Sequence, residues 1–152
     1  MISEVKLLSA ELSNISHPWA IVGGANLVCR SCSKSAADID IITTKEGSSF
    51  IFLRLKKYAV CELEWSQSSN IKSYYFSAFF HSLKIEVMGD PINKINGAWV
   101  VNNGWKNSIE KTHVGDAMVP LTSLAYEKEI NIALGNYQRV AEIEKCITKP
   151  YT

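Results

Sequence analysis

Two aspartates alternate with isoleucines in residues 37–44, which read Ala-Asp-Ile-Asp-Ile-Ile-Thr-Thr. β-Branched residues with a period of two are typical of a half-buried strand. Side chains two positions apart share one face of a strand, with Cα atoms roughly 6.6 Å apart. The pattern therefore predicts a strand that buries Ile39 and Ile41 and presents Asp38 and Asp40 together on the opposite face.

The paired carboxylates on this predicted strand need a counter-charge. Two unneutralised carboxylates at this separation repel each other, and Mg²⁺ takes oxygen ligands at about 2.0–2.1 Å. Asp38 and Asp40 are therefore candidate metal ligands. A second alternating strand at 83–88 turns its aliphatic side chains inward and leaves Glu86 on the other face, which makes Glu86 the candidate third carboxylate.

A glycine pair precedes the two aspartates. A short apolar run at 19–22 leads into Gly23 and Gly24, and residues 25–30 read as the start of a helix. A glycine pair after a strand is often a plain turn, and Asp-x-Asp is common in loops. The order of the two motifs and their spacing carry more information than either motif alone.

The rest of the chain alternates between helical and strand patterns. Apolar spacings of three, four and seven predict a helix over 3–15. Further predicted helices are 48–57, 122–134 and 137–147, and further predicted strands are 60–65, 71–80 and 99–102. This order predicts an α+β fold, in which helices flank a mixed β-sheet and two helices come last.

Composition restricts the class of protein. The 152 residues are 47% hydrophobic and 10% aromatic, unlike a disordered chain, and the length predicts a single domain over 1–152. No run of about 18 apolar residues is present, so we expect no membrane span. The first residues lack a basic region followed by an apolar core, so we expect no signal peptide and a cytoplasmic location.

The charge balance bears on partners. Sixteen basic side chains against fifteen acidic ones give a formal net charge of +1. Proteins held to long nucleic acids by bulk electrostatics carry a clear basic excess. We therefore expect no long nucleic acid as a partner.

The four cysteines are Cys29, Cys32, Cys61 and Cys146. The C-x-x-C at 29–32 permits a zinc or thiol-redox interpretation, but a structural zinc needs four ligands and no second ligand pair is present. Thiols in a chain without an export signal are normally reduced. We therefore favour four ordinary, reduced cysteines.

At the glycine pair and the Asp-Ile-Asp-Ile strand, the sequence resembles the nucleotidyltransferase superfamily that includes DNA polymerase β. The pattern of that superfamily is a strand, a Gly-Gly or Gly-Ser that opens a helix, a strand with Asp-x-Asp, and a third acid on a later strand. Within it the chain looks most like the minimal nucleotidyltransferases, including the lincosamide type and the abortive-infection antitoxin type. The resemblance extends at motif level from Trp19 to Ile147 and implies a nucleotidyltransferase-like sheet.

This resemblance implies a reaction in which a nucleoside monophosphate passes from an NTP to an acceptor hydroxyl and pyrophosphate leaves. Asp38 and Asp40 would hold two Mg²⁺ ions, and Glu86 would help bind the second ion and assist deprotonation of the acceptor. Backbone N–H groups of the glycine turn and nearby basic side chains would bind the phosphates. The implied nucleotide-binding residues are Gly23, Gly24, Asn26, Arg30, Lys34 and Lys128.

The chain departs from the superfamily pattern at several positions. Gly24 stands where many relatives have serine, Glu86 stands where aspartate is commoner, and the usual Arg-x-Lys-Asp of the last helix reads Arg-Val-Ala-Glu at 139–142. A catalytically weak binding module, antitoxin-like or regulatory, is therefore the alternative function. Phosphodiester hydrolysis at the same metals is a weaker third possibility.

The short chain also bears on the acceptor. A length of 152 residues leaves little beyond a catalytic core, so we expect a homodimer or a partner chain as one way to complete the site. For the acceptor itself we expect a small molecule or a protein hydroxyl, in keeping with the near-neutral charge.

Overall fold

One mixed β-sheet of eight strands runs through residues 1–149, the part of the chain that the computed structural model describes. Residues 150–152 of the predicted domain lie outside the described residues. The strands are β1 (Trp19–Val22), β2 (Asp38–Thr43), β3 (Glu64–Gln67), β4 (Ile71–Phe80), β5 (Leu83–Ile95), β6 (Ala98–Val101), β7 (Ile109–Val114) and β8 (Ala117–Thr122).

Helices pack on both faces of this sheet, which confirms the predicted α+β class. They are α1 (Ile2–Glu11), α2 (Gly23–Cys29), α3 (Lys45–Leu55), α4 (Leu124–Ala133) and α5 (Tyr137–Ile147). Side-chain hydroxyls cap two of them: Thr44 accepts a hydrogen bond from the Gly47 N–H at the start of α3, and Ser123 accepts one from the Tyr126 N–H at the start of α4. None of the helices in residues 1–149 has the length and hydropathy needed to cross a membrane.

The centre of the sheet places the aspartate strand between two neighbours. The strand order is β3-β4-β5-β2-β1-β8-β7, and β6 pairs with β5 beyond this path. Strand β2 runs antiparallel to β1 and parallel to β5. The strand with the two aspartates is therefore flanked by the strand that leads into the glycine pair and by the strand that carries Glu86.

The two faces of β2 have different surroundings, as the alternation predicts. Ile39 and Ile41 are fully buried in the main hydrophobic core, together with Val5 and Leu8 of α1 and Ile51 of α3. The opposite face carries Asp38, Asp40 and Ile42. There a smaller apolar cluster, formed by Ala20, Ile42, Trp105 and Tyr126, packs under α4. The core therefore fixes β2 from one side and leaves the carboxylates on the other.

Several elements differ from their predicted bounds. Strand β5 was predicted to end at residue 88 but continues to Ile95, passing through Asp90 with a positive φ of 47° and then Pro91. The β7–β8 hairpin over 109–122 was not predicted as strands. The predicted strand at 60–65 is an irregular segment followed by the short, exposed β3. Pro91 in β5 and Pro120 in β8 made these segments look unlike strands, because proline cannot donate a backbone hydrogen bond. Pairing with neighbouring strands stabilises both segments in the sheet.

The prediction of four reduced cysteines is wrong for two of them. Cys32 and Cys146 form a disulfide across 114 positions of sequence, while Cys29 and Cys61 are free thiols. The C-x-x-C motif is thus not a redox or zinc pair, because Cys32 is bonded to the last helix rather than to Cys29. Contact between segments so distant in sequence is set by the tertiary fold and leaves no local signal.

Candidate active site

The parallel pairing of β2 with β5 brings the three predicted carboxylates together. Asp40 and Glu86 are register partners, and Asp38 lies one pleat away on the same face of β2. One oxygen from each of these carboxylates lies within 4.8 Å of the others, and all three residues are half-buried. We refer to Asp38, Asp40 and Glu86 as the carboxylate triad.

Asp40 is the most perturbed member of the triad. Burial, and then the negative charges of Asp38 and Glu86, raise the pKa of Asp40 to about 7, while Arg139 acts in the opposite direction. A buried carboxyl between two others resists ionisation for both reasons. The triad therefore holds more negative charge than its surroundings compensate.

Two side chains that the sequence did not single out bind Glu86. Lys84 Nζ lies 2.9 Å from Glu86 Oε1, and the Tyr75 hydroxyl donates a hydrogen bond of 2.8 Å to the same oxygen. Burial alone would raise the pKa of Glu86, but the hydrogen bonds from Lys84 and Tyr75 hold it below its ordinary value. Lys84, two residues before Glu86 on the same strand face, could have been found from the strand period. Tyr75 required the β4–β5 register.

The glycine pair lies directly against the triad. Gly23 has a φ of +68°, the left-handed region that favours glycine. A Cβ added to it would stand 3.5 Å from Asp40 Oδ2, in ordinary van der Waals contact with the triad. At Gly24 an added Cβ would approach the Ala36 Cβ to 3.1 Å. Ala36 therefore leaves little room for the serine that many relatives have at the second position, since it would have to shift by a few tenths of an ångström.

Arg139 of α5 is the cation nearest to the glycine turn. Its Nη1 and Nη2 lie 3.6 and 3.7 Å from the positions that a Cβ would take on Gly23 and Gly24. Its ion pair with Glu142 is long, at 4.0 Å, and its guanidinium makes no hydrogen bond within residues 1–149. The sequence placed Arg139 on the last helix but did not predict it as a site residue, since the packing of α5 decides where it points.

Glu127 of α4 anchors the glycine turn from the other side. Its Oε1 accepts hydrogen bonds from the Gly23 N–H at 2.8 Å, from Asn26 Nδ2 at 2.9 Å and from the Thr122 hydroxyl at 2.7 Å. Glu127 is 2% exposed and Asn26 is fully buried. The Asn26 side chain therefore holds the turn in place within the protein and does not face the open cleft.

The three predicted basic residues are spread over different surfaces. Arg30 donates hydrogen bonds to Asn26 Oδ1 and the Thr122 carbonyl and pairs with Glu110 at 2.7 Å. Lys128 pairs with Glu144 at 3.3 Å on the surface of α4 and α5. Lys34 is exposed on the segment between α2 and β2. None of the three contacts the triad in the part of the chain that the structure describes.

Two openings meet at Arg139. A polar cleft of about 230 Å³ is lined by Asp38, Asp40, Arg139 and the small residues of the segment 33–37. An apolar cavity of about 160 Å³ lies on the other side of Arg139. Ile42 and Met88 in its floor continue the sheet face of Asp40 and Glu86 by one step along β2 and β5. Val22, the register partner of Asp40 on β1, completes the floor. The triad is thus bordered by one polar and one apolar space.

Sequence comparisons carry no assignment for this chain. No protein-family model matches the sequence, and no curated protein matches it with significance.

Comparison of the three-dimensional structures does find similar folds. Solved structures of nucleotidyltransferases superpose on almost all of this chain, so it has the fold of the nucleotidyltransferase superfamily. One is a crystal structure from Thermotoga maritima with a provisional nucleotidyltransferase assignment. It has a TM-score of 0.79 and 20% sequence identity, and covers 96% of this chain and 91% of that chain.

Two further similar structures are those of an antibiotic-resistance factor and an antibiotic adenylyltransferase. The solution structure of the antibiotic-resistance factor ANT(2″)-Ia has a TM-score of 0.63 and 12% identity, over 97% of this chain and 82% of that chain. The lincosamide antibiotic adenylyltransferase LnuA, solved with lincomycin bound, also has a TM-score of 0.63 and 12% identity, over 95% and 96% of the two chains. At sequence identities this low, the structural similarity establishes the fold alone.

Proposed function

We propose that this protein is a Mg²⁺-dependent nucleotidyltransferase that moves a nucleoside monophosphate from an NTP to an acceptor hydroxyl. The observation that carries this proposal is the carboxylate triad, whose oxygens lie within 4.8 Å of one another beside a glycine turn. The nucleotidyltransferase fold supports the same reaction.

The chemistry of the triad fits a divalent cation. All three ligands are carboxylate oxygens, the donors that Mg²⁺ prefers. Burial, and then the charges of Asp38 and Glu86, raise the pKa of Asp40, and a bound cation would counter both effects. Asp38, Asp40 and Glu86 would hold the metal, with two ions expected. When bound, Mg²⁺ would neutralise charge on the phosphate oxygens of the NTP.

The protein would bind the triphosphate in the polar cleft. Arg139 makes no hydrogen bond inside the described chain, so its guanidinium can donate two hydrogen bonds to phosphate oxygens in a bidentate arrangement. Gly23 and Gly24 let the phosphates approach the backbone without a side chain in the way. Glu127 and Asn26 hold that turn fixed, and we assign them this positioning role in place of direct nucleotide contact.

The transfer step makes one bond and breaks one bond. The acceptor oxygen attacks the α-phosphorus, and the bond from that phosphorus to the α–β bridging oxygen breaks, so pyrophosphate leaves with the electron pair. Glu86 Oε1 is occupied by Lys84 and Tyr75, which leaves Oε2 as the atom that takes the acceptor proton. Arg30, Lys34 and Lys128 remain predictions as further phosphate contacts.

We propose a small-molecule hydroxyl as the acceptor. The apolar cavity beside the triad has room for a ring system rather than a macromolecule. Two neighbours of the same fold are described with small antibiotics, one with adenylyl-2″-tobramycin and one with lincomycin. A protein hydroxyl, and completion of the site by a second copy or a partner chain, stay as predictions. A cytoplasmic location also stays a proposal, consistent with an NTP substrate.

Transfer of a labelled α-phosphate tests the proposal. Purified protein is incubated with Mg²⁺, each of the four α-labelled NTPs and pools of hydroxyl-bearing small molecules, and products are resolved by mass. We expect products heavier than their acceptor by one nucleoside monophosphate, with equimolar pyrophosphate. Asp40→Asn should lower the rate by about 10³-fold, since it removes a metal ligand from the reacting centre.

The matched control is Asp116→Asn, an exposed carboxylate paired with Lys6 on a distant surface. This variant should keep the wild-type rate. Full activity in Asp40→Asn would contradict the proposed site. Mg²⁺-dependent NTP binding without any transfer or pyrophosphate release would favour the binding-module alternative, and pyrophosphate release without a labelled acceptor would favour hydrolysis.

A further inference from the structure

The disulfide ties together the two walls of the polar cleft. Cys32 lies in the segment 31–37 between α2 and β2, which forms one wall through Ser33, Ser35 and Ala36. Cys146 lies in the last turn of α5, whose Arg139 forms the other wall. The Cα atoms of the two cysteines are 5.2 Å apart. The covalent link therefore closes one end of the candidate active site.

The bonded cysteine and Arg139 share one face of α5. Arg139, Glu142 and Cys146 are spaced by three and four residues, which aligns their side chains along one stripe of a helix. Arg139 and Glu142 both line the polar cleft. The disulfide therefore fixes the rotation of α5 that directs Arg139 at the glycine turn.

Little else holds α5 against this wall. The buried side chains of α5 are Val140 and Ile143, which lie outside both hydrophobic core clusters, and α5 packs mainly on α4. The ion pair between Lys128 and Glu144 joins the same two helices and is exposed, so it contributes little. No hydrogen bond or ion pair among residues 1–149 joins α5 to the segment 31–37.

We propose that the Cys32–Cys146 disulfide is a redox clasp: when formed it holds Arg139 against the glycine turn, and when reduced it releases α5 and weakens NTP binding. This inference rests on the proposed function, because it assigns Arg139 to the triphosphate. Reduction takes two electrons and two protons from a dithiol reductant, which becomes a disulfide while Cys32 and Cys146 become thiols. An oxidant of the disulfide class reverses the step.

The chemistry of the cysteines favours exchange at this pair. Cys32 and Cys146 are both half-buried and lie outside the hydrophobic core clusters, so neither is enclosed in the core. Cys29 lies three residues away, but burial raises the pKa of its thiol to about 11, which keeps it protonated and a poor nucleophile. Cys61 is exposed and lies 3.6 Å from the Ser77 hydroxyl of β4, the strand next to Glu86, and it belongs to neither wall of the polar cleft. Reversible exchange is therefore directed to the bond between the two cleft walls.

Nucleotide affinity in the two redox states tests the clasp. The probes are the α,β-methylene analogues of the four NTPs, titrated with Mg²⁺ into oxidised protein and into protein kept in excess dithiothreitol. Reduction should weaken binding by about tenfold, the loss expected when one charged hydrogen-bond donor is no longer held in place. Cys32→Ser and Cys146→Ser should bind like the reduced protein. Cys29→Ser and Cys61→Ser should respond to reduction as the wild type does.

A second variant separates the clasp from general loss of stability. In Arg139→Ala, both redox states should bind the analogue equally weakly, because the disulfide acts through Arg139. An equal effect of reduction in wild type and Arg139→Ala would overturn the proposal. Retention of tight binding in reduced wild type, or alkylation of Cys32 and Cys146 in the oxidised protein, would also overturn it.

Hydrogen exchange of the α5 amides distinguishes failure of the clasp from failure of the proposed function. We expect faster exchange in α5 after reduction, with α1 and α3 unchanged. If no analogue binds in either redox state while reduction still speeds exchange in α5, the proposed function fails. The part of the proposal in which the disulfide holds α5 in place then stands. If α5 exchange is the same in both states, the clasp fails whatever the nucleotide does.

Discussion

At the scale of single residues, Asp40 lies in a position that favours function over stability. It is enclosed by Asp38, Glu86 and the glycine turn, and burial together with the neighbouring carboxylates raises its pKa to about 7. A folded protein pays for such repulsion through lower stability, and sites of this kind are commonly stabilised by removing the charge.

Asp40→Asn should therefore stabilise the metal-free protein. The amide has nearly the same shape as the carboxylate and carries no charge, so it relieves the repulsion within the triad. We expect the free energy of unfolding to rise by about 1–3 kcal/mol, measured by urea denaturation in EDTA at pH 8. Mg²⁺ should stabilise the wild type but not the variant. A lower stability of Asp40→Asn in EDTA would show that the triad is not under repulsion.

Substitution of Glu127 should lower the stability of the protein, in contrast to Asp40→Asn. Glu127→Ala removes the acceptor of three hydrogen bonds, those from Gly23, Asn26 and Thr122. Asn26 Nδ2 keeps its bond to the Thr122 carbonyl, but the Gly23 N–H loses its acceptor, and lost buried hydrogen bonds are costly. Since three buried hydrogen bonds are lost, we expect a loss of about 3–5 kcal/mol in the free energy of unfolding.

Glu127→Gln is the matched variant, because it keeps an acceptor oxygen of the same reach. Its loss should be roughly half that of the alanine variant. Thermal and urea denaturation of the two variants check the ordering. Equal losses in both would mean that the three hydrogen bonds do not depend on the side-chain oxygen.

The site residues that were predicted from the sequence lie in local motifs, whereas those that were missed reach the site through tertiary packing. Asp38, Asp40 and Glu86 followed from the strand period and a local motif, and the β2–β5 register places the three side chains close together. Arg139, Glu127 and Tyr75 belong to elements that reach the triad only through tertiary packing. No spacing along the chain encodes such contacts.

At the scale of elements, the strong periodic segments were predicted closely. The strands at 19–22 and 71–80 and the helix at 137–147 match the observed bounds. The continuation of β5 to Ile95 was missed, because Asp90 and Pro91 resemble a turn. Hydrogen bonding to β6 over 92–95 stabilises this extension instead. Element type thus follows from local pattern, whereas extent depends on the partner strand.

The cap of α3 gives a prediction at this scale. Thr44 Oγ1 accepts a hydrogen bond from the Gly47 N–H at 2.9 Å, and α3 carries Ile51 and Leu55 into the core beneath β5. Thr44→Ala should cost about 1 kcal/mol of unfolding free energy. Thr44→Ser, which keeps the hydroxyl, should cost only a small fraction of this in the same urea denaturation. Equal costs would assign the effect to the lost methyl group instead.

At the scale of the whole molecule, the balance of charge restricts the partners. The 16 basic and 15 acidic side chains nearly cancel, and several basic ones are paired, including Lys6 with Asp116 and Arg30 with Glu110. The charge that matters for the proposed function is local, at the triad. That site attracts a divalent cation, and it repels a triphosphate that arrives without one.

Binding to long nucleic acids should consequently be weak. For a 30-base-pair duplex or a folded RNA at about 0.15 M salt, we expect a Kd above about 10 µM, since few phosphates can be neutralised at once. Fluorescence anisotropy with both probes measures it. A Kd below about 0.1 µM for either probe would show that a nucleic acid, and not a small molecule, is the partner to consider.

Coupling between metal and nucleotide binding tests the proposed site most directly. Calorimetric titration of an α,β-methylene NTP analogue should show binding in Mg²⁺ that weakens at least about 100-fold in EDTA, because the triad otherwise repels the phosphates. Asp38→Asn and Asp40→Asn should lose this coupling, and Asp116→Asn should keep it. An affinity that is the same in Mg²⁺ and EDTA, or unchanged in the two triad variants, would contradict a metal-dependent nucleotidyltransferase site at Asp38, Asp40 and Glu86.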